Sequence, residues 1–220
     1  MKNKVLKMFA ILFVTTMAFT SCESTSNVET KDPYFLADMG SIYMGDIVAL
    51  NKQNFFKPKA ISIEVEFYPR TSSVGFFFKD GINKVILTFD PEEYKSLCAG
   101  VDKYKEINTA QTFAPNYKPS SKNRFQNGKV STAWGTTGPS REVEAPYETN
   151  YEWLEVNGVE NPYFRLKVKA TDYPQEEHVG SPTISLYFTP TQAEMIKSII
   201  NMEAIMQEVN DFNDAAYSFE

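Results

Sequence analysis

The chain has 220 residues and a formal net charge of −6, with 22 basic, 28 acidic and one histidine side chain. A single histidine excludes a histidine-based metal cluster within one chain, and the acidic balance runs against the basic stripe that polyanion binders carry. Two cysteines are too few for a disulfide framework, whereas 17 Phe and 12 Tyr favour sheet.

The chain opens with Lys2, Lys4 and Lys7, an apolar run over 8–19 and a small polar exit at Thr20 and Ser21. A positive head, a short apolar stretch and small residues form a secretory signal, so 1–21 is expected to be removed as a signal peptide. The run is shorter than the roughly 20 residues that a membrane helix needs. Residues 22–40 are polar and rich in Ser and Thr near their start, and are read as a flexible tether.

A first strand is expected over 42–50. Ile61, Ile63, Val65 and Phe67 alternate with Ser62, Glu64 and Glu66, which describes a strand with one dry and one wet face. A third strand covers 74–78, Asp80 and Gly81 turn the chain, and 85–89 returns. Asp90 caps a helix whose first residue is Pro91, with Glu92 and Glu93 at its positive end. Tyr94, Leu97, Cys98, Val101 and Tyr104 follow at helical spacing, and Gly100 costs this helix about 1 kcal/mol against alanine. Cys98 is read as a small buried hydrophobe.

Residues 109–146 carry several Pro, Gly, Ser and Thr and read as a long loop that holds one strand at 129–134. Strands are expected at 151–156 and 163–169, joined by the Asn157-Gly158 hairpin signal, and a last one at 184–188. Thr189, Pro190 and Gln192 form a capping box, and Met195, Ile199, Met202, Met206 and Val209 make the apolar stripe of a C-terminal helix. Val85, Leu87, Phe89, Pro91 and Leu97 match Ile184, Leu186, Phe188, Pro190 and Ile196 in order. The expectation is an α+β protein of two repeated units, each of four antiparallel strands followed by one helix. The units would cover 41–108 and 129–220, joined by a loop-rich linker at 109–128.

Two resemblances follow from these residues. Phe19-Thr20-Ser21-Cys22 resembles a bacterial lipoprotein lipobox, with Phe19 where leucine is usual. That resemblance implies cleavage before Cys22, acylation of Cys22 with palmitate-type chains, and an exported protein anchored to a bacterial membrane, at the outer membrane or the periplasmic face. The stretches VILTFDPEEYKSL and ISLYFTPTQAEMI resemble the strand-to-helix junction of the single-stranded nucleic-acid-binding superfamily that holds the Whirly, purine-rich-element-binding (PUR) and positive-cofactor proteins. It implies an open sheet face that stacks bases and draws phosphates, for which Phe77, Tyr163, Arg165, Lys167 and Lys169 are the candidates.

Catalytic signals are missing. His178 stands alone beside Glu176 and Glu177 and reads as a solvated loop, there is no Gly-x-Ser-x-Gly run, and Trp134-Gly135-Thr136-Thr137-Gly138 lacks the lysine of a phosphate loop. No enzyme, metal or cofactor is expected. Tyr147, Tyr151, Trp153, Tyr163 and Trp134 are either sheet packing or a surface for sugar or protein. The functional expectation is therefore a non-catalytic binding or structural role at the cell envelope, through Phe77, Trp153, Tyr163, Arg165, Lys167 and Lys169. Its partners would be the bilayer through Cys22 and an envelope protein or glycan. Binding of nucleic acid or another polyanion is the alternative.

Overall fold

A computed structural model describes residues 39–52 and 57–217, with side chains up to 212. The signal, Cys22 and most of the tether lie outside the described residues.

Eight strands run in chain order: β1 Ile42–Asn51, β2 Lys59–Tyr68, β3 Ser73–Asp80, β4 Asn83–Phe89, β5 Gln126–Gly135, β6 Arg141–Val156, β7 Val159–Val168 and β8 Ile184–Phe188. Each pairs antiparallel with the next, and β8 returns to β1, closing one barrel. Helix α1 (Pro91–Ala110) follows β4; α2 (Pro190–Ser198) and α3 (Met202–Tyr217) follow β8.

The expectation of two repeated four-strand units is thereby corrected. A four-stranded sheet has two bare edges, and here all of them are used: β4 pairs with β5, from Lys84↔Gly135 to Thr88↔Ser131, and β1 pairs with β8 through Leu50↔Tyr187 and Asn51↔Leu186. Closure removes the edges that two separate sheets would leave open. The open sheet face implied by the Whirly resemblance goes with them. The stretch read as a long loop also contributes more strand than expected, because β5 starts at Gln126 and β6 at Arg141.

Strand alternation sorts the two faces of the wall. Ile47, Ile63, Val65, Val74, Phe76, Leu87, Phe89, Val130, Phe164, Leu166, Ile184 and Phe188 are buried inside. An eight-stranded barrel is just wide enough for side chains to fill it, and these do. Outside stand Glu64, Lys79, Lys84, Lys129, Glu142 and Glu144, all exposed or nearly so. An apolar lumen and a charged outer wall reverse the pattern of a barrel that faces lipid. Among the described residues no helix is long and apolar enough to cross a membrane.

Strands β4 and β8 run in the same sense, so α1 and α2 leave the barrel at the same rim and lie together there. Asp90 accepts from the Glu93 amide at 2.8 Å, and the Thr189–Gln192 capping box closes both ways, as the residue types predict. Helix α1 buries Leu97, Gly100, Val101 and Tyr104, and α2 buries Ala193 and Ile196. Gly100 meets Thr149 of β6 so closely that a Cβ would stand 2.5 Å from its Oγ1. The glycine is tolerated in mid-helix for that close approach. Tyr94 donates to the Ile196 carbonyl, Lys197 pairs with Asp102, and Lys105 pairs with Glu194 at 2.9 Å, so the two helices are tied to each other as well. Burial, only partly offset by the hydrogen bond with Tyr94, pushes the Cys98 thiol up to about 11.

Candidate functional site

The Asn157-Gly158 turn sets the geometry of the longest hairpin. Both residues have positive φ (53° and 82°), as the tight two-residue turn requires. From Val156↔Val159 the register runs without a shift to Tyr147↔Val168, which places Asn150 opposite Arg165, Glu152 opposite Tyr163 and Glu148 opposite Lys167. On the next strand Tyr187 of β8 stands opposite Arg165. All of these lie on the outer wall.

Arg165 is the centre of the arrangement. Its side chain is only 8% exposed, and its guanidinium donates through Nη1 to Glu152 at 2.7 Å and through Nη2 to Glu148 at 3.1 Å. Tyr187 donates to the same Glu152 oxygen at 3.1 Å, Lys52 approaches the other at 3.5 Å, and Lys169 reaches Glu148 at 3.3 Å. Burial, then the nearby Glu152 charge, raises the Tyr187 hydroxyl above its ordinary range. The network is incomplete: Arg165 Nε and both amide atoms of Asn150 are buried without a hydrogen-bond partner. Buried groups of this kind are nearly always satisfied, by protein, by water or by a ligand.

A cleft of about 250 Å³ opens beside this network, lined by Lys52, Glu152, Arg165, Lys167, Thr183, Ser185 and Tyr187. Lys167, half-buried, has no carboxylate partner among the described residues. Three cations against one carboxylate make the cleft positive in an otherwise acidic chain. Beneath its far edge Leu154, Tyr163 and Tyr187 form a small apolar cluster, flanked by Leu50 and Val156.

The residues expected to bind are only partly brought together. Tyr163, Arg165 and Lys167 line one face of β7, with Lys169 just beyond its end. Trp153 points to the opposite face of the hairpin, where its indole donates to the Ala114 carbonyl at 2.9 Å and packs edge-on against Phe113. Phe77 stands on β3, outside the network. Tyr147, Tyr151, Tyr163 and Trp134 are buried, so these aromatics pack the sheet. Tyr151 alone is flanked by Phe113, Tyr117 and Phe125, with the Tyr117 ring stacked at 3.8 Å. That loop segment, 111–125, covers the part of β6 that outruns β5.

Sequence reasoning missed Glu148, Asn150, Glu152 and Tyr187. The signal for the first three was present: a two-residue turn at Asn157-Gly158 fixes every opposite number of β7. Among the described residues there is no metal-binding group of three or more acidic, His or Cys side chains. His178 lies on an exposed turn beside Glu177, in reach of no such cluster.

A family model described as "Uncharacterised Treponema protein" matches residues 41–207 of this chain. The chain belongs to that family. The matched stretch includes the whole barrel, α1, α2 and the start of α3, so the Arg165 network lies within the family's own span. No curated protein and no solved structure matches the chain. The family description names a bacterial genus and assigns no activity.

Proposed function

We propose that this Treponema-family protein is an exported lipoprotein, anchored through acylated Cys22, that binds a small carboxylated or phosphorylated ligand in the Arg165 cleft without transforming it. The anchoring half of the reading rests on the residues before the barrel: the basic head, the short apolar run and the lipobox-like exit at Cys22. Two or three acyl chains hold a protein stably where one does not. The charged outer wall suits a barrel carried in water beside the membrane.

One observation carries the binding half. A buried arginine keeps an unused Nε–H, opposite a buried asparagine with a wholly unused amide, next to a cleft with surplus positive charge. Guanidinium groups match carboxylate and phosphate geometry, and their charge-assisted bonds are the strong ones. Since the lumen is filled, the wall is where a ligand finds room.

Two measurements test the two halves separately. Radiolabelled palmitate should enter the wild-type protein and not Cys22→Ala; label that survives the substitution removes the anchor. Calorimetric titration with citrate and with inorganic phosphate should give saturable heats that Lys167→Ala weakens at least tenfold, whereas glucose gives none. Equal heats in both proteins remove the cleft.

A second reading, binding of single-stranded nucleic acid, draws on Tyr163, Arg165, Lys167 and Lys169 along one strand. Glu148 and Glu152 neutralise Arg165 and Lys169 on that same strand, which weakens it as a phosphate track. Oligonucleotide binding that falls steeply between two salt concentrations would favour this reading.

A further inference from the structure

The barrel wall is not equally closed all round. Strand β2 pairs with β1 over nearly its whole length, from Ile42↔Phe67 to Asn51↔Lys59, and β3 pairs with β4 from Val74↔Phe89 to Asp80↔Asn83. Between β2 and β3, however, the ladder covers only Glu64–Tyr68 against Ser73–Phe77. Past Glu64 and Phe77 the two strands part. Lys59–Ile63 then keep a neighbour only on the β1 side, and Phe78 and Lys79 only on the β4 side, among the described residues.

A groove of about 590 Å³ lies at this parting. One bank carries Ile61 and Ser62 of β2, and the other Phe78 and Lys79 of β3, so the groove sits between two facing strand edges. Its inner side is apolar: Ile61, Phe78 and Val85 belong to the face that fills the barrel. Its outer rim is split by charge. Asp46 and Glu64 stand at the end where the ladder stops, and Lys79 and Lys84 stand about two residues further on. None of these four forms an ion pair with another described residue.

We infer that this seam is a docking site for an extended peptide segment of a partner protein, inserted as a strand between β2 and β3. Strand edges offer rows of N–H and C=O groups to any extended chain, and adding a strand supplies those bonds on both sides. The alternation of a strand matches the groove, with every second side chain turned toward Ile61, Phe78 and Val85 and the others outward. The charge split sets direction: a basic residue of the peptide faces Asp46 and Glu64, and an acidic residue two positions later faces Lys79 and Lys84. Five residues at about 3.3 Å each span roughly 17 Å, the length of the unpaired β2 segment. This site is separate from the Arg165 cleft and stands whether or not that cleft binds an anion.

The test uses the full-length protein and a synthetic pentapeptide, acetyl-Val-Lys-Val-Glu-Val-amide, which puts the three valines on one face and both charges, two positions apart, on the other. Amide hydrogen exchange followed by NMR should slow at least tenfold within both Lys59–Ile63 and Phe78–Asp80 when the peptide saturates. The same peptide N-methylated at all three valines should bind at least tenfold more weakly, and the charge-reversed peptide, with the Lys and Glu exchanged, should also bind more weakly. Unchanged exchange at either edge overturns the inference, as does equal binding of the N-methylated peptide, since affinity would then not come from a ladder. Protection that grows with protein concentration in the absence of peptide would identify a second copy of the chain as the inserted strand and would equally overturn it.

Discussion

Asn150 and Arg165 stand directly opposite each other across the β6–β7 hairpin, and both keep buried polar atoms that bond to nothing. Arg165 is at the same time held by two carboxylates, Glu148 and Glu152. One pair of residues thus combines a structural ion network with an unfinished hydrogen-bonding site.

The two residues should respond oppositely to substitution. Arg165→Met leaves Glu148 without its closest cation in a buried setting, and removing one partner of a buried pair costs about 3–5 kcal/mol. Asn150→Leu removes an amide that is already unsatisfied, which is close to neutral or stabilising. Urea denaturation of both variants checks this: the expected order of stability is Asn150→Leu at or above wild type and Arg165→Met far below. Citrate binding should nevertheless fall in Asn150→Leu, a gain in stability coupled to a loss of function.

Gly100→Ala should destabilise despite the better helix propensity of alanine. The added Cβ would meet Thr149 Oγ1 at 2.5 Å, and overpacking of this kind costs about 1–3 kcal/mol, more than the roughly 1 kcal/mol that propensity returns. Thermal unfolding should show a lowered Tm, and Thr149→Ala in the same chain should recover part of it.

Thr189→Ala removes one arm of the capping box at the start of α2, where the Gln192 amide donates to Thr189 Oγ1 at 3.3 Å. The expected loss is about 1 kcal/mol in chemical denaturation.

Cys98 should behave as an inert thiol until strongly alkaline pH. Burial lifts its pKa from 9.0 to about 11, so the folded state holds the proton more tightly than the unfolded chain. The contribution to stability is complete below 9.0 and is lost as pH rises through about 11. In the Cys22→Ser protein, the rate of reaction with a disulfide reagent should therefore keep climbing beyond pH 9. A plateau at pH 9 would place the thiol in water.

Much of the local structure was legible from residue order. The alternation of Ile61, Ile63, Val65 and Phe67 against Ser62, Glu64 and Glu66 gave the two faces of β2 correctly. Asp90 and Thr189 marked the starts of α1 and α2, although the single C-terminal helix expected through Met195 and Val209 is broken between Ser198 and Met202. Closure was not legible, because the β4–β5 and β8–β1 pairings join strands far apart in sequence and carry no local signal. The first half of β6 was hidden by Pro146 and by the neighbouring Gly and Ser residues, which read as loop. That loss concealed Glu148 as a partner of Arg165, and with it the neutralisation of the basic strand that the nucleic-acid resemblance depended on. The lumen-facing tyrosines show a related limit: residue type alone does not say whether Tyr147 or Tyr151 meets water or a helix.

The binding claim reduces to one hydrogen, the Arg165 Nε–H, and NMR can observe it directly. Titrating citrate, and separately inorganic phosphate, into the nitrogen-15-labelled protein should shift the Arg165 Nε–H and Asn150 side-chain amide signals together and saturably, with little change at the lumen residues Phe76 and Leu166. Signals of Arg165 and Asn150 that stay in place while the anions are raised to saturating salt levels would contradict it.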